Sequence, residues 1–79
     1  MEKLILSAVK DVLKERVDKF NNGLFASHHA SNQSIKVMME NGIHISGDTV
    51  LQRGVVIAKI RNRYDSHRRM RQPIIEEVR

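Results

Sequence analysis

Seventy-nine residues without a cysteine, with fourteen Lys and Arg against nine Asp and Glu for a net charge of +5, confine the chain to one small basic domain. The absence of thiols excludes disulfides and thiolate metal sites, and a domain of this size buries so little of its surface that oligomerisation is expected to support it. The apolar run Leu4-Ile5-Leu6 is too short for a signal-peptide core or a membrane span, which predicts a soluble, cytoplasmic protein with no membrane partner.

Residues 2–20 carry the clearest periodicity. Ile5, Leu6, Val9, Val12, Leu13, Val17 and Phe20 recur at three- and four-residue spacing, which stacks them on one helical face, with Lys3, Lys10, Asp11, Lys14, Glu15, Asp18 and Lys19 on the other. Asn21-Asn22-Gly23 ends this helix, since Gly tolerates the left-handed conformation of a C-terminal cap. Residues 24–33, LFASHHASNQ, read as a loop with Leu24 and Phe25 pinned to the core and His28-His29 exposed.

The stretch from Ser34 to Val50 admits two foldings. If SIKVMMEN is helical, Ile35, Met38 and Met39 form its apolar face, Gly42 caps it, and ISGDTV starts a second helix. On that folding GIHISGDTV resembles the turn and early recognition helix of arginine-repressor-type winged helices, which would make Thr49, Gln52 and Arg53 base-reading candidates. The other folding starts from alternation: Ile35, Val37 and Met39 alternate with Lys36 and Glu40, and Ile43 and Ile45 flank His44. A three-residue loop Glu40-Asn41-Gly42 then sets Met39 opposite Ile43 and Val37 opposite Ile45, with Gly42 in the left-handed slot of a type I turn plus bulge. Register and turn chemistry agree on this hairpin, and it is the folding we expect.

Ser46 next serves as a helix N-cap, with Ile45 and Val50 as a hydrophobic staple and Asp48 at the positive end of the dipole. A helix from about Gly47 to Arg69 or Met70 stacks Val50, Ile57 and Tyr64 at seven-residue spacing. Gly54 is its flaw, costing up to ~1 kcal/mol in a helix interior. Alternatively Gly54 ends a short helix and VVIAKI is a strand. Pro73 stops the element. The expected fold is therefore α+β: a single compact domain over 1–72 built as helix, β-hairpin and long helix, with a C-terminal tail over 73–79. The alternative is an all-α helix-turn-helix or winged helix. In order of elements the expected layout is similar to the small head–tail joining proteins of lambdoid phages, which also end in a basic tail.

Chemistry is sparse. His28 and His29 are adjacent and make a poor chelating pair, no acid stands at ligand spacing from His44 or His67, and nucleophile motifs and phosphate-cradling Gly loops are absent. No catalysis, cofactor or metal is expected. The charge, by contrast, is concentrated. Lys59 to Arg71, KIRNRYDSHRRMR, holds six basic residues and one acid, while the rest of the chain is balanced at eight of each. Arg outnumbers Lys there five to one, which favours forked contacts with phosphate, carboxylate or guanine edges. Phe20 and Tyr64 read as core, which argues against a base-stacking platform. The expected site is a nucleic-acid-binding set, Arg53, Lys59, Arg61, Arg63, Arg68, Arg69 and Arg71, gripping the phosphate backbone of DNA or RNA from an Arg-rich helix, as in a phage or mobile-element regulator or packaging factor. The alternative is a non-enzymatic adaptor, inhibitor or assembly factor binding an acidic protein surface. Val55, Val56, Met70, Ile74 and Ile75 would be its interaction surface, and a homo-oligomer is expected in either case.

Overall fold

The apolar stripe of the first helix needs a surface to cover, and the second half of the chain supplies it as a sheet. A computed structural model describes residues 1–78. Its elements are helix α1 (Lys3–Asn22), a 3₁₀ turn (Gly23–Phe25), helix α2 (Asn32–Glu40) and strands β1 (Ile43–Ser46), β2 (Thr49–Gln52), β3 (Val55–Asp65) and β4 (Met70–Glu77). The strands form one antiparallel sheet in the order β1-β2-β3-β4. The fold is α+β, but both helices precede all the strands.

Helix α1 buries Ile5, Ala8, Val9 and Leu13 and ends at Gly23, whose φ is 54°, as its sequence predicts. These side chains meet Val37 of α2 and Ile43, Ile45, Val50 and Ala58 of the sheet. Core positions alternate along the strands, so the helices cover one face of the sheet only. An extra residue in β3 opposite Val50 and Leu51 lets Ile57 and Ala58 both turn toward that core.

The hairpin expected over 35–45 does not form. Residues 32–40 are helical, capped by the Ser31 hydroxyl accepting from the Ser34 amide at 3.1 Å. Ser34, Val37, Met38 and Asn41 turn inward at helical spacing, while Ile35 and Met39 face solvent. The alternation of Ile35, Val37 and Met39 was therefore not a strand signal. Gly42 does adopt positive φ, 65°, but as the residue that ends α2.

The long helix over 47–70 is likewise replaced, by three strands. Two tight turns break it. Gly47-Asp48 joins β1 to β2 with Gly47 at φ 56°, the first-position glycine of a type II′ turn. Arg53 and Gly54, at φ 50° and 85°, join β2 to β3 with both residues left-handed, as a type I′ turn requires. The expected staple pair Ile45 and Val50 is instead a buried cross-strand pair. The strand alternative for VVIAKI is the one that forms. Pro73, Ile74 and Ile75, set apart as a tail, lie in β4 paired with Asn62, Arg61 and Ile60, and Arg79 lies outside the described residues.

Four side chains expected in the core are not there. Leu24 is fully exposed and Phe25 is 91% exposed, while Phe20 and Tyr64 are 81% and 61% exposed. A twenty-residue helix runs about 30 Å, whereas four-residue β1 and β2 run about 13 Å. Helix α1 meets the sheet along β4, and these short strands do not extend beneath its last turns.

A Cβ on Gly42 would stand 2.8 Å from Arg53 Cγ, and the Gly42 carbonyl accepts from the Arg53 amide at 2.9 Å. Gly42→Val is expected to lower stability by about 1–3 kcal/mol through strain at positive φ. Urea denaturation checks this, and an unchanged midpoint would mean the α2–β1 junction is not left-handed.

Candidate nucleic-acid interface

Alternation along β3 aligns charges that a helix would have scattered. Lys59, Arg61 and Arg63 are two residues apart, so they share the face of the sheet turned away from the helices, in steps of about 6.5 Å. In register, Lys59 sits between Thr49 and Glu76, Arg61 opposite Ile74 and Arg63 opposite Gln72. All three cations are exposed. Arg61 Nε lies 3.0 Å from Glu76 Oε2, an exposed pair of small worth.

Strand β2 stops pairing with β3 at Lys59. Beyond it, Ile60–Asp65 and Met70–Ile75 continue as a two-stranded ribbon of about 20 Å. Its turn carries Arg68 and Arg69, the latter left-handed at φ 52°. The Asp65 carboxylate fixes that turn by accepting from the His67 and Arg68 amides at 3.0 and 3.4 Å. Five of the seven expected cations thus line one ribbon and its tip. The other two do not join them: Arg53 is in the β2–β3 turn, and Arg71 pairs with Tyr64 on the helix-facing side.

The interaction set is also dispersed. Val55 and Val56 open β3 and are exposed, Ile74 is exposed beside Arg61, and Ile75 packs against the core opposite Ile60. Met70 begins β4, and its side chain lies outside the described part of the structure. Thr49 and Gln52 are turned to local bonds, with Thr49 Oγ1 donating to the Ser46 carbonyl at 2.8 Å and Gln52 Nε2 to the Asn41 carbonyl at 3.2 Å.

On the helix-facing side a trough runs between α1 and the ribbon, in two hollows of about 240 and 390 Å³. Leu13, Val17, Ile60 and Pro73 give it an apolar floor, and Phe20 lines one end. Lys10, Lys14 and Arg16 border it from α1, and Arg68 and Arg71 from the ribbon. The sequence offers only the one-turn spacing of Lys10 and Lys14 as a hint of this group, because their partners lie over fifty residues away.

Two aspartates of α1 hold the loop beside that trough. Asp18 accepts from the Ser27 and His28 amides, each at 2.7 Å, and from Asn22 Nδ2 at 2.6 Å. Asp11 accepts from the Ser31 amide at 2.9 Å and the Ser34 hydroxyl at 2.7 Å, with His28 Nε2 2.8 Å from its other oxygen. Ser34 and His28 both address the Asp11 carboxylate rather than each other, and the group ties the loop and α2 to α1 as a clamp. His28 is therefore not a free loop residue. Among the described residues there is no cluster of three or more metal-ligating side chains and no helix long and apolar enough to cross a membrane.

The Ser31 amide first, then the Ser34 hydroxyl and His28, hold the Asp11 carboxyl down to about 2 from an ordinary 3.8. The His28 amide, then Asn22, lower Asp18 in the same direction. A depressed carboxylate stabilises the fold fully above its ordinary value and loses that contribution as pH falls from about 3.8 to about 2. The Ser31 and Ser34 NMR signals are expected to titrate near the lower value, and Asp11→Asn to remove the transition. Titration near 3.8 would show that the clamp does not form. No known protein family, curated protein or solved structure matches this chain.

Proposed function

We propose that the chain is a nucleic-acid-binding protein that grips backbone phosphates with its β3–β4 ribbon. The observation that carries this is the row Lys59, Arg61 and Arg63 on the uncovered face of the sheet, continued by Arg68 and Arg69 at the ribbon tip. A two-stranded ribbon fits the major groove of a duplex, and forked guanidiniums suit phosphate and guanine edges. The ribbon takes the role that sequence periodicity gave to a helix. A regulator or packaging factor of a phage or mobile element suits the size of the chain, and cytoplasmic operation suits the absence of cysteine.

Duplex affinity is expected to fall with salt at a log–log slope of about −3 to −5, matching the cations in the row and tip. Arg63→Glu should weaken binding at least tenfold and flatten that slope. Fluorescence anisotropy with a labelled duplex at low salt checks both, and absence of binding overturns the proposal.

A protein-interaction role is favoured by a different observation. The chain exposes 6089 Å², whereas a compact monomer of 9.1 kDa is expected to expose about 4,900 Å². The surplus exceeds the roughly 800 Å² that each partner buries in a standard interface. Phe20, Leu24 and Phe25 are exposed together at the end of α1 and the 3₁₀ turn, an apolar cluster suited to a second copy of the chain. Light scattering is expected to give a mass above 9.1 kDa that drops to the monomer value with Leu24→Glu and Phe25→Glu together. A monomeric wild type at all concentrations removes this reading.

A further inference from the structure

All three aromatic residues of the chain are exposed, and one of them, Phe20, lines the basic trough at the helix end. Arg71 borders both hollows of the trough from the ribbon. Among the described residues, Lys10, Lys14, Arg16 and Arg71 have no carboxylate partner. Asp18 is the one acid among the described lining residues, and its oxygens are already engaged by Asn22, Ser27 and His28. The trough thus pairs unneutralised cations with the uncovered Phe20 ring over an apolar floor.

That combination discriminates between nucleic acids. A duplex keeps its bases stacked inward and cannot offer their faces to a protein ring, whereas a single strand can splay them onto aromatic side chains while its phosphates follow a basic groove. We propose that the trough binds a single-stranded stretch of nucleic acid, with phosphates on Lys10, Lys14, Arg16 and Arg71 and a base stacked on Phe20. This rests on the chain being a nucleic-acid binder, but it uses the opposite face of the ribbon from Lys59, Arg61 and Arg63.

Labelled oligo-dT, labelled oligo-rU and a duplex of equal length are titrated by anisotropy, and the ring signals of Phe20, assigned against the Phe20→Ala spectrum, are followed by NMR. Single strands are expected to bind, to shift those signals, and to bind roughly 5- to 150-fold more weakly to Phe20→Ala. Duplex affinity should not change in that variant, whose exposed side chain carries no folding role. Lys10→Ala with Lys14→Ala should weaken single-strand binding and lower its salt dependence. Comparing oligo-dT with oligo-rU assigns the ligand to DNA or RNA. Single-strand affinity unaffected by Phe20→Ala, or Phe20 ring signals that do not move, overturns the inference. Duplex binding that depends on Arg63 with no single-strand binding overturns it while leaving the ribbon proposal intact, and no binding to any probe overturns both.

Discussion

One-sided packing governs this molecule. Ile5, Ala8, Val9 and Leu13 of α1, with Val37 of α2, cover Ile43, Ile45, Val50 and Ala58, and the described residues include no further α-helix for the other face of the sheet. Every second residue of β3 beyond Val56 is therefore obliged to meet water or a partner. Lys59, Arg61 and Arg63 occupy those positions, a choice consistent with an exposed antiparallel face. Charge, exposure and alignment have a common origin in the period of two.

The same geometry makes the ribbon. Strands β1 and β2 are short because left-handed residues close both hairpins early, at Gly47 and at Arg53-Gly54. Strands β3 and β4 continue without them. Helix α1 meets the sheet along β4, and Phe20 near its end is left uncovered where the trough runs between helix and ribbon. The ribbon thereby presents different chemistry on its two faces: a cationic row outward and a basic trough with the uncovered Phe20 ring inward.

Loop 26–31 shows how a polar segment is ordered without apolar anchors. Leu24 and Phe25 contribute nothing to its burial, and two carboxylates on α1 replace them by collecting backbone amides and side-chain donors. Hydrogen bonds to ionised acceptors are roughly twice as strong as neutral ones, which suits them to hold a loop at a partly wetted surface.

The sequence by itself determined α1 and its Gly23 end, since four turns of consistent periodicity leave no competing pattern. It also located the basic segment and the left-handed role of Gly42. It could not decide residues 34–40, where seven residues fit either period and only the Ser31 cap, a weak local signal, favours the helix. Nor could it decide 47–70: Val50, Ile57 and Tyr64 sit at helical spacing by coincidence, while Arg53-Gly54 at a turn is a poor match to the usual Asn-Gly pattern. Tertiary structure decided those segments, because α1 required an apolar face wider than one helix could offer. It alone also placed Lys10, Lys14 and Arg16 beside Arg68 and Arg71, and split Arg71 from the cations on the outer face. Such proximity comes from strand register and helix docking, which are contacts across more than fifty residues that no local pattern encodes.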